Sequence, residues 1–215
     1  MTTKVRSPIA DARSKAAHII EAPNEEQHQR VFRASALGQW PPNALKAGDH
    51  AIEFCLPDRQ GRKVSLSKCL LAGPVLLMVS QGLGYESLMT QLLELAALYP
   101  RIRAQSVTLI VLAPYWDASG VDGLPFHILV DSHSSVATAY GLALQADAEP
   151  RPHSRPIAYG ENDANLLDPL VIPATYVISR SGQILFASID ANTAHCLQPN
   201  ALLRMLEALS RRQSF

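Results

Sequence analysis

Residues Pro74–Ser80 read Pro-Val-Leu-Leu-Met-Val-Ser, an unbroken apolar run too short for a core helix. Such a run fits a strand buried on both faces, where no alternation with polar residues is needed. Ser106–Ala113 is a second run of the same kind. Between them, after Gly82 and Gly84, Ser87–Tyr99 places Leu88, Leu92, Leu95 and Ala96 on one helical face. Strand, helix and strand in that order predict a right-handed parallel crossover. A sheet buried on both faces must be covered on both, which sets the class as α/β.

The rest of the chain supplies further elements. Ala51–Pro57 and Arg62–Leu66 read as strands around the turn Asp58-Arg59-Gln60-Gly61. Phe126–Val130 is another short strand, and Asp131 or Ser132 is placed to cap a helix over Ser134–Tyr140 that Gly141 ends. Residues 145–170 are polar, Pro-rich and irregular, the reading of a long loop. Ala174–Ser179 and Gln183–Ser188 alternate around Arg180-Ser181-Gly182, a hairpin pattern. Pro199–Arg212 closes the chain as a helix with Leu202, Leu203, Leu206 and Leu209 inward. A βαβ unit, an inserted strand and helix, and a ββα unit make a thioredoxin-like arrangement, a central mixed sheet flanked by helices. Pro173 stands directly before the first strand of the second unit, where that fold places a cis-proline. This context raises the expectation of a cis bond well above the base rate of about 5–6% for X-Pro.

Residues 1–43 differ, and the chain divides into a helical N-terminal arm over 1–43 and one domain over 44–215. Ile9, Ala12, Ala16, Ile19 and Ile20 fall at helical spacing, and Asn24 is placed as the N-cap of a second helix. Two short helices without strand partners read as an arm that packs on the body or reaches a second copy of the chain, giving a homodimer.

Composition narrows the function classes. With 47% hydrophobic and 18% charged residues the chain has ample core material. Nineteen Lys and Arg balance 19 Asp and Glu, which argues against a nucleic-acid binder, since phosphate contacts need a basic excess. No apolar run approaches the roughly 20 residues that span a bilayer, and the N-terminus has no signal-type apolar region. Three cysteines (Cys55, Cys69 and Cys196) are too few for a disulfide scaffold, and a cytoplasmic location is the simplest expectation. The seven histidines are dispersed, so no metal site is expected. Gly82-Leu83-Gly84 lacks the spacing of a phosphate loop, and no cofactor is expected.

Several segments together resemble the peroxiredoxin-like proteins of the alkyl hydroperoxide reductase/thiol-specific antioxidant (AhpC/TSA) family. They are Ala44–Asp58, Gly61–Leu66, Gly73–Leu77, Val171–Ile184 and the tail Ile189-Asp190-Ala191 with Leu197-Gln198-Pro199. The resemblance covers roughly residues 44–210. It implies a thioredoxin fold and, in the nearest subfamily, Gly-Trp-Cys-Pro-Tyr-Cys after the buried strand.

Here the strand is followed by Gln81-Gly82-Leu83-Gly84-Tyr85-Glu86-Ser87-Leu88. Without a gap, Tyr85 falls at the peroxide-attacking cysteine and Leu88 at its partner. The family's chemistry needs a thiolate at a helix N-terminus, where free N–H groups and the helix dipole lower the thiol's pKa. Neither a phenol nor an isobutyl group forms a sulfenic acid. In the tail, His195-Cys196 stands where the resemblance implies a pair of arginines.

Ordinary thiol peroxidase activity is therefore not expected, and two readings stand. One is a binding or interaction module on a redox-inactive fold. The other is an enzyme with rewired chemistry, through Cys196 as a single thiol or in a pocket of Tyr85, His195 and Cys196. Gln81, Gly84, Glu86, Ser87, Leu88, Ile172 and Pro173 would line such a pocket. Tyr115 and Trp116, following the second buried strand, would join them at the end of the sheet where ligands collect. The plainer alternatives are that Tyr85 and Leu88 plug a disused site, that Tyr115 and Trp116 cover the core, and that Cys196 is a packed, inert thiol. Cys55 and Cys69 read as structural.

Overall fold

The structure, a computed structural model, describes residues 41, 43–58, 60–80, 86–114, 123–144, 170–189 and 198–211. Its centre is a sheet of five strands in the order β5-β4-β3-β8-β9. These are β3 (Val75–Val79), β4 (Thr108–Ala113), β5 (His127–Val130), β8 (Ala174–Ile178) and β9 (Ile184–Ile189). β3 pairs in parallel with β4, and β4 with β5; β8 runs antiparallel to both β3 and β9. The two apolar runs are thus neighbouring parallel strands, and every residue of β3 is buried.

Alternation along the strands divides the core into two faces. Leu76, Met78, Leu109, Val111, Ile128 and Val177 pack on one side with the helices α2 (Glu86–Ala104) and α4 (Pro199–Arg211). Leu92, Leu95, Ile102 and Leu206 there are fully buried, each contributing about 1.5–3 kcal/mol of transfer free energy. α2 runs beyond the expected Tyr99 to Ala104 with Pro100 inside it, and burial of Ile102 anchors that last stretch. In α4, Leu202, Leu203 and Leu206 are buried while Leu209 is only partly covered. Arg101 of α2 donates to Glu207 of α4 at 2.8 Å on the rim.

Val75, Leu77, Val79, Ile110, Leu112, Tyr176 and Ile178 face the other side. There they meet α1 (Leu66–Ala72), α3 (Ser135–Ala139) and Tyr140. α1 corrects the expected strand Arg62–Leu66: only Lys63–Ser65 (β2) pairs with Cys55–Pro57 (β1). At Ser65 the hydroxyl accepts from the Lys68 N–H, an N-cap that turns the chain into a helix. The expected strand over Ala51–Pro57 is likewise shorter. Residues 48–51 instead run beside β9, where Ala51 N–H bonds Gly182 and Ile184 N–H bonds Asp49.

α3 ends as expected: Gly141 has φ +71°, and any side chain there would drive into the Asn43 carbonyl. The hairpin turn holds too, with Gly182 at φ +85°. The loop expected over 145–170 lies outside the described residues except for Leu170; on either side of it Ala143–Leu144 (β6) and Leu170–Val171 (β7) form an antiparallel pair. The arm expected over 1–43 lies outside the described residues except for Pro41 and Asn43.

The cis-proline expectation is corrected. No cis peptide bond occurs among the described residues, and Ile172–Pro173 is trans. Ile172 N–H bonds Leu142 at 2.8 Å, and Ala174 is already in register between Val79 and Ile189. An extended chain thus runs from β7 straight into β8, and a trans bond continues it.

Candidate functional site at the carboxyl ends of the parallel strands

β3, β4 and β5 end together, and this end of the sheet carries the candidate site. Ser80, one residue past β3, is tied to β4 twice: its N–H and its hydroxyl both donate to the Leu112 carbonyl, at 2.9 and 3.2 Å. α2 starts at Glu86, so the chain crosses from β3 to the helix within residues 80–85. Because Val79 pairs with Ala174, Ile172 and Pro173 arrive beside the same end of β3. Both are buried.

Beyond β5, Asp131 turns its carboxylate onto the start of α3. One oxygen accepts from the Ser135 N–H and hydroxyl, both at 2.9 Å; the other accepts from Val136 and Ala137 N–H at 2.9 and 3.1 Å. The capping role read for Asp131 is correct, though it reaches three successive N–H groups from outside the helix. The carboxylate is 4% exposed, and only this full set of donors makes such burial tolerable. Ser134 between them takes a left-handed conformation, φ 49°, and its buried hydroxyl has no hydrogen-bond partner among the described residues.

Val79, Ser80, Ala113, Pro114, Asp131, Ser134 and Val171 border a shallow depression that encloses no space wide enough for a water molecule. No histidine or cysteine is among its described lining residues. Its one carboxylate is already engaged by four donors. The described part of the site therefore holds no base placed to activate a nucleophile. Neither is any group of three His, Cys, Asp or Glu among the described residues able to hold a metal ion.

The structure brings Glu86, Ser87 and Leu88, as the first positions of α2, to the same end of the sheet as Ile172 and Pro173. Gln81, Gly84, Tyr85, Tyr115, Trp116, His195 and Cys196 lie outside the described residues. Ser80, Pro114, Ser134 and Val171 were missed from the sequence. Ser80 had a signal as the polar residue ending an apolar run, and Ser134 as a member of Asp131-Ser132-His133-Ser134-Ser135.

The two described cysteines are elsewhere. Cys55 is exposed on β1, and Cys69, on α1, packs half-buried against the Tyr176 face. Burial, and then the negative charge of Glu53, push the Cys69 thiol up, away from a reactive thiolate. Glu53 is fixed by accepting from the Ser67 N–H and hydroxyl at 2.9 and 3.1 Å.

A parallel β3–α2–β4 unit joined to the antiparallel β8–β9 hairpin and α4 is the thioredoxin-like fold in its peroxiredoxin form. The family model for the AhpC/TSA family matches residues 47–187, and the chain belongs to that family. Among solved structures it is similar to a peroxidoxin BcpB from Mycobacterium tuberculosis, at 19% identity and TM-score 0.58, covering 77% of this chain and 98% of that one. A yeast mitochondrial 1-Cys peroxiredoxin aligns at 20% identity and TM-score 0.59, over 79% and 78% of the two chains. A Plasmodium vivax 2-Cys peroxiredoxin aligns at 14% and 0.61, over 80% and 85%. At these identities the likeness is one of fold. No curated protein sequence matches the chain.

Proposed function

We propose that this chain is a redox-degenerate member of the AhpC/TSA family, a binding or interaction module on a thioredoxin-like fold rather than a thiol peroxidase. The observation that carries this reading is the junction between β3 and α2. The strand ends at Val79 and the helix begins at Glu86, and neither the connecting residues 80–85 nor α2 contains a cysteine. That junction is where the fold supplies a helix N-terminus to lower a thiol pKa. Tyr85, directly before the helix, stands where the family resemblance puts the attacking thiol. The burial of Cys69 and its distance in the sequence from this junction support the same reading. In this reading the carboxyl end of the sheet, beside the Ile172–Pro173 lead-in to β8, is the recognition surface for a protein segment or a small-molecule ligand.

Cys196, next to His195, favours a second reading as a single-thiol enzyme, since an imidazole neighbour can generate a thiolate. One experiment separates the two. Intact-mass spectrometry follows the reduced protein through a hydrogen peroxide titration, with Cys196→Ser alongside. All three cysteines are expected to stay reduced until gross excess of peroxide, in both proteins. A gain of one oxygen at low peroxide in the wild type, absent from the variant, overturns the module reading and makes Cys196 a working thiol.

A further inference from the structure

We draw no further inference here: the strongest candidate, the depression at the carboxyl ends of β3, β4 and β5 bordered by the buried hydroxyl of Ser134, unpartnered among the described residues, encloses no room for even a water molecule and belongs to the site already described.

Discussion

The two faces of the central sheet are built on different principles. The face under α2 and α4 is built mainly from Leu, Met, Val, Ala, Ile and Phe, and Thr175, paired with Met78, is the buried polar residue that strand alternation places on that side. On the face under α1 and α3 a comparable apolar cluster surrounds two tyrosine rings tilted 59° to each other, with ring centres 5.5 Å apart. Asp58, Asp131 and Ser134 are buried along or beside its border. The first face depends chiefly on volume and shape. The second depends also on whether each buried polar atom finds a partner, so its residues range from indispensable to superfluous.

The largest effect is expected where volume alone matters. Leu206→Ala, at a fully buried position of α4 against α2, removes three carbons from a site fenced by Leu92, Leu95 and their neighbours. Loss of transfer free energy and the cavity left behind destabilise by about 2–5 kcal/mol. Urea unfolding followed by circular dichroism reads this as a lower midpoint at unchanged slope. A loss below about 1 kcal/mol would mean that α4 does not close the core as described.

On the polar face the largest effect belongs to Asp131→Ala. This change strips the partner from three N–H groups and a hydroxyl at the start of α3. Hydrogen bonds to a charged group contribute about 1.5–3 kcal/mol each at most, and water can reach part of the opened turn, so about 3 kcal/mol in all is expected. Hydrogen exchange localises the effect: amides of Ser135, Val136 and Ala137 should lose protection before those of β3. Equal loss in both places would show that α3 opens only with the whole domain.

The contrast between faces also explains what could be read from the sequence. Runs such as Val75–Val79 and the leucines of α2 and α4 carry their burial in their own pattern, so the buried parallel strands and the helix faces were legible. Asp131 was legible too, because a carboxylate just before a helix has a local job. Ser65 was not: one hydroxyl converts an apparent strand into α1, and in an alternating sequence it looks like any solvent-facing residue. The trans bond before Pro173 was also hidden, since it follows from a contact with Leu142 thirty residues earlier. In the candidate site, Glu86, Ser87, Leu88, Ile172 and Pro173 converge on one end of the sheet because secondary structure carries them there. Ser80 and Ser134 bore only local signs, the polar end of an apolar run and a hydroxyl-rich stretch before a helix, which spacing alone does not assign to a site.

A pH test sharpens the comparison further, because the described groups whose pKa burial moves lie on or beside the polar face. His127 is half-buried on β5; burial holds its pKa below the usual 6.5, Asp58 opposes that shift, and Arg62 adds to it. The unfolded imidazole then takes up its proton at a higher pH than the folded one. Stability from this group is fully present above pH 6.5 and is lost as pH falls from there through the folded-state value. Asp58 acts lower on the scale. Its own burial raises its pKa, but bonds from the Arg62 and Gln60 N–H groups and the Arg62 guanidinium outweigh that and hold it below 3.8, so its contribution disappears only in stronger acid. Urea midpoints at pH 7.5, 6 and 5 should fall together for the wild type and for Leu206→Ala, and fall less for His127→Gln. An unchanged slope in His127→Gln would assign the loss to other groups.

The smallest effects come from the two tyrosines, and they test the principle most directly. The hydroxyl of Tyr140 donates to the Ile52 carbonyl at 2.9 Å and so clasps residues 48–52 across this face. That of Tyr176 is buried with no partner among the described residues. Burial pushes both phenols above their ordinary pKa, with the Tyr176 and Glu53 charges adding to the rise at Tyr140 and the Asp49 charge at Tyr176, so both remain protonated at any ordinary pH. Each therefore acts as a hydroxyl and not as a charge. Tyr140→Phe removes a made bond and leaves a carbonyl unpaired, at a cost of about 1 kcal/mol. Tyr176→Phe removes a group that was desolvated without compensation, and its effect should lie near zero or be slightly stabilising. The two changes remove the same atom from the same residue type, with ring packing kept in both. A difference of about 1 kcal/mol between their unfolding free energies thus isolates hydrogen bonding from burial. Equal losses would mean that Tyr176 has a partner after all, and that this face is as fully satisfied as the apolar one is fully packed.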